Sequence, residues 1–210
     1  MNLPKHFFAS FAFIAALILV VLTSYWVFHD STNEEPLVIH KEGSGAAAIG
    51  GAFTLIDQNG HQQTDDILKN KLSLIYFGYS YCPDICPTGL HAMTVALDML
   101  EKELGPETAN KIQPIFITVD PNRDTSSQLK IYMQNFHPRF MSLTGSTKQV
   151  QTAISAYKVY ASKFEEEGMD DYLLDHSSIV YIMDPEGNYV SHFTHATPPE
   201  EMVKIIKEQL

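Results

Sequence analysis

The chain has 210 residues, 45% of them hydrophobic, and a net charge of −11 from 14 basic and 25 acidic side chains. Lys5 is the only charged side chain before residue 29, so the acidic excess belongs to everything after it. That balance excludes nucleic acid and anionic lipid surfaces as partners of the later region, whose length suits one globular domain without internal repeats or low-complexity tracts.

Residues 1–6 form a short polar N-terminus, and residues 7–28 carry no charge. About 22 residues at ~1.5 Å each cross a hydrocarbon core of roughly 30 Å. Tyr25 and Trp26 stand at the outer end, where aromatic side chains anchor at an interface. A cleaved signal would have an apolar stretch of only about 7–15 residues and a small-residue cleavage site. The reading is therefore an uncleaved transmembrane anchor. Lys5 before the span and Asp30, Glu34 and Glu35 after it leave the N-terminus in the cytoplasm and export the rest. No Arg-rich transit peptide is present, since the first arginine is Arg123, which indicates a bacterial cytoplasmic membrane. Residues 29–50 read as a flexible tether of about 25 Å r.m.s. reach, and residues 51–210 as the folded head.

In the head, residues 52–57 alternate and meet a tight turn at Asn59-Gly60, which predicts a hairpin. Residues 72–78 are nearly all apolar, as in a strand buried on both faces. A helix is expected over 89–104, stopped by Gly105-Pro106, and a strand over 112–119. Further helices are predicted from Thr125 to about residue 136, from the cap Ser146 to about residue 157, and after Thr197-Pro198. A short strand is expected at 141–143, an acidic loop near 163–172, and a closing hairpin at 177–183 and 188–193 around Asp184-Pro185-Glu186-Gly187. The order βαβ, α, ββα fits an α/β fold: a mixed, mostly parallel central sheet with one antiparallel edge, flanked by helices.

Cys82 and Cys86 are the only cysteines, in Tyr81-Cys82-Pro83-Asp84-Ile85-Cys86-Pro87 directly after the buried strand. Reactive groups gather at such strand ends, and a following helix N-terminus favours the thiolate. The thiolate serves nucleophilic exchange and metal binding alike, so the pair is open to both a redox and a metal reading. The metal reading requires a third donor. His91 is expected to turn away down its helix, and His192 and His195, three apart on a strand, point to opposite faces. In a thioredoxin-like layout His176 lies beside the cysteine loop, and no proline stands between Arg139 and Pro185 to occupy that corner. Asp175 is the candidate to orient its ring, although a single histidine is more commonly an ordinary hydrogen-bonding residue. Two thiolates and an imidazole would suit copper. Zinc would call for a fourth ligand, for which Asp84 and Asp120 are candidates better explained as hydrogen-bonding residues.

Four segments in register resemble the Sco/SenC family: residues 76–90 around the cysteines, Thr118-Val119-Asp120-Pro121-Asn122-Arg123-Asp124-Thr125, residues 136–145, and Tyr172-Leu173-Leu174-Asp175-His176-Ser177-Ser178. The resemblance runs from about Phe53 to the C-terminus. It implies a thioredoxin-like head that binds one copper ion, Cu(I) or Cu(II), through Cys82, Cys86 and His176. It implies a metallochaperone for the binuclear copper site of cytochrome c oxidase subunit II, supplied by a periplasmic copper donor and kept reduced by a thioredoxin-like partner. The alternative is a thiol-disulfide oxidoreductase in which Cys82 attacks and Cys86 resolves. The lack of an N-terminal lipidated cysteine points to a Gram-negative inner membrane with the head in the periplasm. Met169, in the acidic loop, is an auxiliary ligand candidate, with a solvated loop as the plainer reading.

Overall fold

The computed structural model describes residues 49–165 and 171–210, together with Leu19, Leu22 and Thr23. The chain divides into two units, Met1–His40 and Lys41–Leu210. In the first, Leu19, Leu22 and Thr23 are helical, and the Thr23 hydroxyl donates to the Leu19 carbonyl at 2.9 Å. The rest of the expected anchor 7–28, nearly all of the tether and Met169 lie outside the described residues. Among those residues no helix is long and apolar enough to cross a membrane.

The second unit is built on a seven-stranded sheet. Its strands are β1 (Thr54–Asp57), β2 (Gln62–Thr64), β3 (Leu72–Gly78), β4 (Ile112–Thr118), β5 (Met141–Thr144), β8 (Ile179–Met183) and β9 (Tyr189–Thr194), in the order β2-β1-β5-β4-β3-β8-β9. A separate two-stranded ribbon pairs β6 (Ala161–Phe164) with β7 (Leu173–His176). Among the described residues four α-helices follow strands: α1 (Ile85–Ala109), α2 (Ser126–Met133), α3 (Thr147–Ala156) and α4 (Pro199–Lys207). Every residue of β3 is buried, which is why its sequence runs apolar without alternation. β3 pairs in parallel with β4, with Gly78 opposite Thr118, because α1 returns the chain across the sheet.

The sheet is mixed but not mostly parallel. Only β3–β4 and β4–β5 run parallel, while β1 joins β5, and β8 joins β3, antiparallel. The expected single antiparallel edge is thus one of two, because both hairpins add themselves to the parallel centre.

The buried stripe of α1, Leu90, Met93, Ala96, Leu97 and Leu100, lies at helical spacing against the sheet. α1 starts at Ile85, four residues before the sequence reading placed it. Pro87 falls in the first turn, where a missing N–H costs nothing. Gly105, at φ 77°, breaks the helical path, and Pro106 starts one more turn. α2 is capped by the Thr125 hydroxyl, and α3 by Ser146, the cap expected there, within a full capping box completed by Gln149. α4 has Pro198 rather than Thr197 at its cap, since the Thr197 hydroxyl accepts from the Thr194 N–H instead.

Candidate metal centre

The cysteine loop leaves β3 at Gly78. Its first turn is fixed by the buried Asp124 carboxylate, which accepts from the Ser80 N–H at 3.0 Å, the Ser80 hydroxyl at 2.5 Å and the Thr118 hydroxyl at 2.6 Å. Asp84 is the N-cap of α1, yet its side chain makes no capping bond. The Cys82 sulfur takes that place, accepting the Cys86 N–H at 3.4 Å. A sulfur on the positive end of a helix is favoured as thiolate.

Donation from the Cys86 thiol pulls the Cys82 pKa far below the ordinary thiol range. Burial works against this, while the N–H groups of Cys86 and Asp84 reinforce it. Cys86 moves the other way, pushed up by its hydrogen bond to Cys82 and by burial. Cys82 is half-buried and Cys86 fully buried, so the thiolate is favoured at the more accessible sulfur.

His176 ends β7, opposite Ala161. Its Nε2 lies 3.2 Å from Cys86 Sγ, across 90 residues of sequence, and its Nδ1 lies 3.1 Å from the Ser177 carbonyl. A carbonyl only accepts, so this bond puts the proton on Nδ1 and leaves the Nε2 lone pair facing the sulfurs. Tyr79 and Tyr76 hold the ring edge-to-face, at centroid distances of 5.8 and 6.4 Å. The three donor atoms, one each from Cys82, Cys86 and His176, lie within 4.8 Å of one another. An ion bound about 2.0–2.3 Å from each donor needs only a small contraction of that set.

The other candidates are engaged elsewhere or turned away. His91 is exposed, and His192 Nδ1 meets the Tyr189 hydroxyl at 2.6 Å. Asp84 lies 3.3 Å from the Thr88 hydroxyl, which donates to it. Asp120 pairs with Arg123 and accepts from the Tyr172 hydroxyl. Asp175 is exposed and does not orient the imidazole; the Ser177 carbonyl does. Sequence reading gave no part to Tyr172 or to Gly78, where a Cβ would meet the Cys86 sulfur. The one available signal was their place inside the segments resembling Sco/SenC.

The SCO1/SenC family profile matches residues 41–210. This chain belongs to the SCO1/SenC family. A SCO2-like protein of Rickettsia conorii is 39% identical over 201 residues, covering 93% of this chain and 94% of its own. The structure of Bradyrhizobium japonicum ScoI with copper bound is 41% identical with a TM-score of 0.70, covering 78% of this chain and all of that one. Arabidopsis thaliana ScoI with copper bound is 38% identical with a TM-score of 0.71, covering 77% and 98%. The head is therefore a Sco thioredoxin-like α/β fold, with the helix-capping Cys82 and the ribbon-borne His176 meeting at its sheet end.

Proposed function

We propose that this chain is a copper-binding Sco protein that acts in cytochrome c oxidase assembly, holding one copper ion through Cys82 Sγ, Cys86 Sγ and His176 Nε2. The observation that carries the reading is the convergence of these donors, with the imidazole Nδ1–H donated to the Ser177 carbonyl. Copper bound in two solved relatives supports it. Two thiolates and one imidazole are a soft, low-coordinate set that favours Cu(I) over ions demanding four ligands or oxygen donors.

Copper is cargo in this reading, delivered to the binuclear site of oxidase subunit II. A three-donor site leaves room for an incoming acceptor thiolate, and half-buried Cys82 is the first donor an acceptor reaches. Residues 7–28 would anchor the chain in a bacterial inner membrane, with 29–50 as tether and 51–210 as a periplasmic head. A periplasmic copper donor and a thioredoxin-like reductant complete the cycle.

The asymmetry of the two sulfurs favours a second reading, reduction of the acceptor's cysteines. The Cys82 thiolate attacks an acceptor disulfide, forming a mixed disulfide and releasing one acceptor thiolate. Cys86 then loses its proton to that thiolate and attacks the Cys82 sulfur. The second acceptor sulfur leaves as a thiolate, and the Cys82–Cys86 disulfide remains. The acceptor gains the two electrons the pair loses.

The test titrates the purified full chain with Cu(I) against a competing chelator, wild type beside His176→Ala. One tightly held ion per chain is expected, with binding about ten- to a hundredfold weaker in the variant. Equal, weak uptake by both would overturn the site. Oxidase activity restored by added copper in a deletion strain supports delivery; restoration by a thiol reductant alone supports reduction.

A further inference from the structure

The ribbon that brings His176 to the cysteines is not hydrogen-bonded into the main sheet. Two-stranded ribbons are marginal by themselves, and β6 is largely exposed. Something else must hold β7 in place. Leu174 donates its N–H to the Tyr79 hydroxyl at 3.1 Å, and the larger tie lies two residues earlier.

Arg123, in the turn that follows β4, reaches Tyr172, just ahead of β7. Its guanidinium carbon lies 3.6 Å from the centre of the Tyr172 ring and 4.9 Å from that of Tyr81, the residue before Cys82. Nη1 donates to the Tyr172 carbonyl at 2.9 Å and pairs with the Asp171 carboxylate at 2.9 Å. Nε pairs with Asp120 at 2.5 Å, and the other oxygen of Asp120 accepts from the Tyr172 hydroxyl at 2.7 Å. Asp120 is 3% exposed, and its own N–H is held by the Thr118 hydroxyl on β4. Tyr172 is thus gripped by ring, carbonyl and hydroxyl from one buried ion pair, and the same guanidinium stacks against the cysteine loop. A planar fork that stacks and donates in several directions is what lysine cannot supply.

We propose that Arg123 is the positioning residue of the copper centre. It clamps the His176 ribbon to the cysteine loop, so that closure of the clamp delivers the third donor and release leaves a two-sulfur site. The inference rests on the assignment of Cys82, Cys86 and His176 as copper donors. It adds that the imidazole is held by a device outside the ligand set, through which copper can be gripped or loosened without touching a ligand.

The test is a double-mutant cycle on Cu(I) affinity in the full chain, using wild type, Arg123→Ala, His176→Ala and the double variant, with thermal melts alongside. Arg123→Ala should weaken Cu(I) about ten- to a hundredfold, and Arg123→Lys less. The loss should vanish in the His176→Ala background, because the clamp acts only through that ring. Should Arg123→Ala fail to fold, Tyr172→Leu removes the ring and hydroxyl that the clamp grips, and must give the same dependence on His176. A loss that persists at full size without His176, or no loss at all, overturns the clamp. No effect of His176→Ala overturns the copper-site assignment itself, a separate failure visible in the same data.

Discussion

Gly78 closes β3 beneath Cys86, and a Cβ built there would stand 2.7 Å from the Cys86 sulfur and 2.9 Å from a Phe116 ring carbon. Both neighbours are fully buried, so neither can swing into solvent. Gly78→Ala should therefore cost about 1–3 kcal/mol of stability by overpacking and weaken Cu(I) binding by displacing one donor. Urea denaturation and copper titration measure the two effects, and an unchanged pair would show that the sulfur has room to move. The cysteines differ in kind as well as in position. With its pKa held far below the ordinary thiol value, Cys82 stays ionised well under neutral pH, whereas Cys86 is protonated and buried. Pulsed alkylation of the reduced chain, mapped by mass spectrometry, should label Cys82 first, at a rate nearly flat from pH 8 to 5. A rate rising tenfold per pH unit would mean an ordinary thiol.

Among the elements, those that sit in the hydrophobic core were the ones legible from sequence. β3 and β4 are apolar runs with no other plausible home, and the Asn59-Gly60 and Asp184–Gly187 turns declare their hairpins by chemistry that few other structures need. The ribbon went unread because Ala161-Ser162-Lys163-Phe164 faces solvent for most of its length and pairs only with β7, leaving no alternation to detect. α1 starts four residues before the sequence pattern predicts, because Pro87 is tolerated in the first turn. The same division applies to the centre. The cysteines announce themselves by number and spacing, and His176 by its place in the Sco/SenC segment. The ring's orientation by Ser177 depends on backbone geometry that no side-chain pattern reports. At α3 the Ser146 cap was legible and yields a control. Ser146→Ala should cost about 0.5–2 kcal/mol in denaturation and leave Cu(I) affinity untouched, since α3 supplies nothing to the site.

For the whole molecule, acid sensitivity should begin at His137, far from the cysteines. Burial depresses its pKa below 6.5, Arg139 adds to this, and the carboxylates of Asp98 and Glu101 only partly oppose it. Nδ1 also accepts the Arg139 N–H at 3.2 Å, a bond that protonation there would abolish. The unfolded chain then takes up a proton that the folded one refuses, so stability is whole above pH 6.5 and declines as pH falls below it. His137→Asn should flatten the dependence of the urea midpoint between pH 7.5 and 5.5, and an unchanged slope would reject the assignment. Asp57, lowered because hydrogen bonds from His61, Gln63 and Asn59 outweigh its burial, adds a second loss as pH falls below 3.8. Asp124, raised by burial, works in the opposite sense above that value, which makes the histidine window the cleaner test. The 90 residues separating Cys86 from His176 act on a different axis, that of time. As the chain is made from its N-terminus, both thiols emerge long before the imidazole, which sits on the second strand of the β6–β7 ribbon. If copper is held by Cys82, Cys86 and His176 as proposed, a half-made or misfolded head offers two sulfurs but no third donor, and firm copper loading would certify that folding has finished.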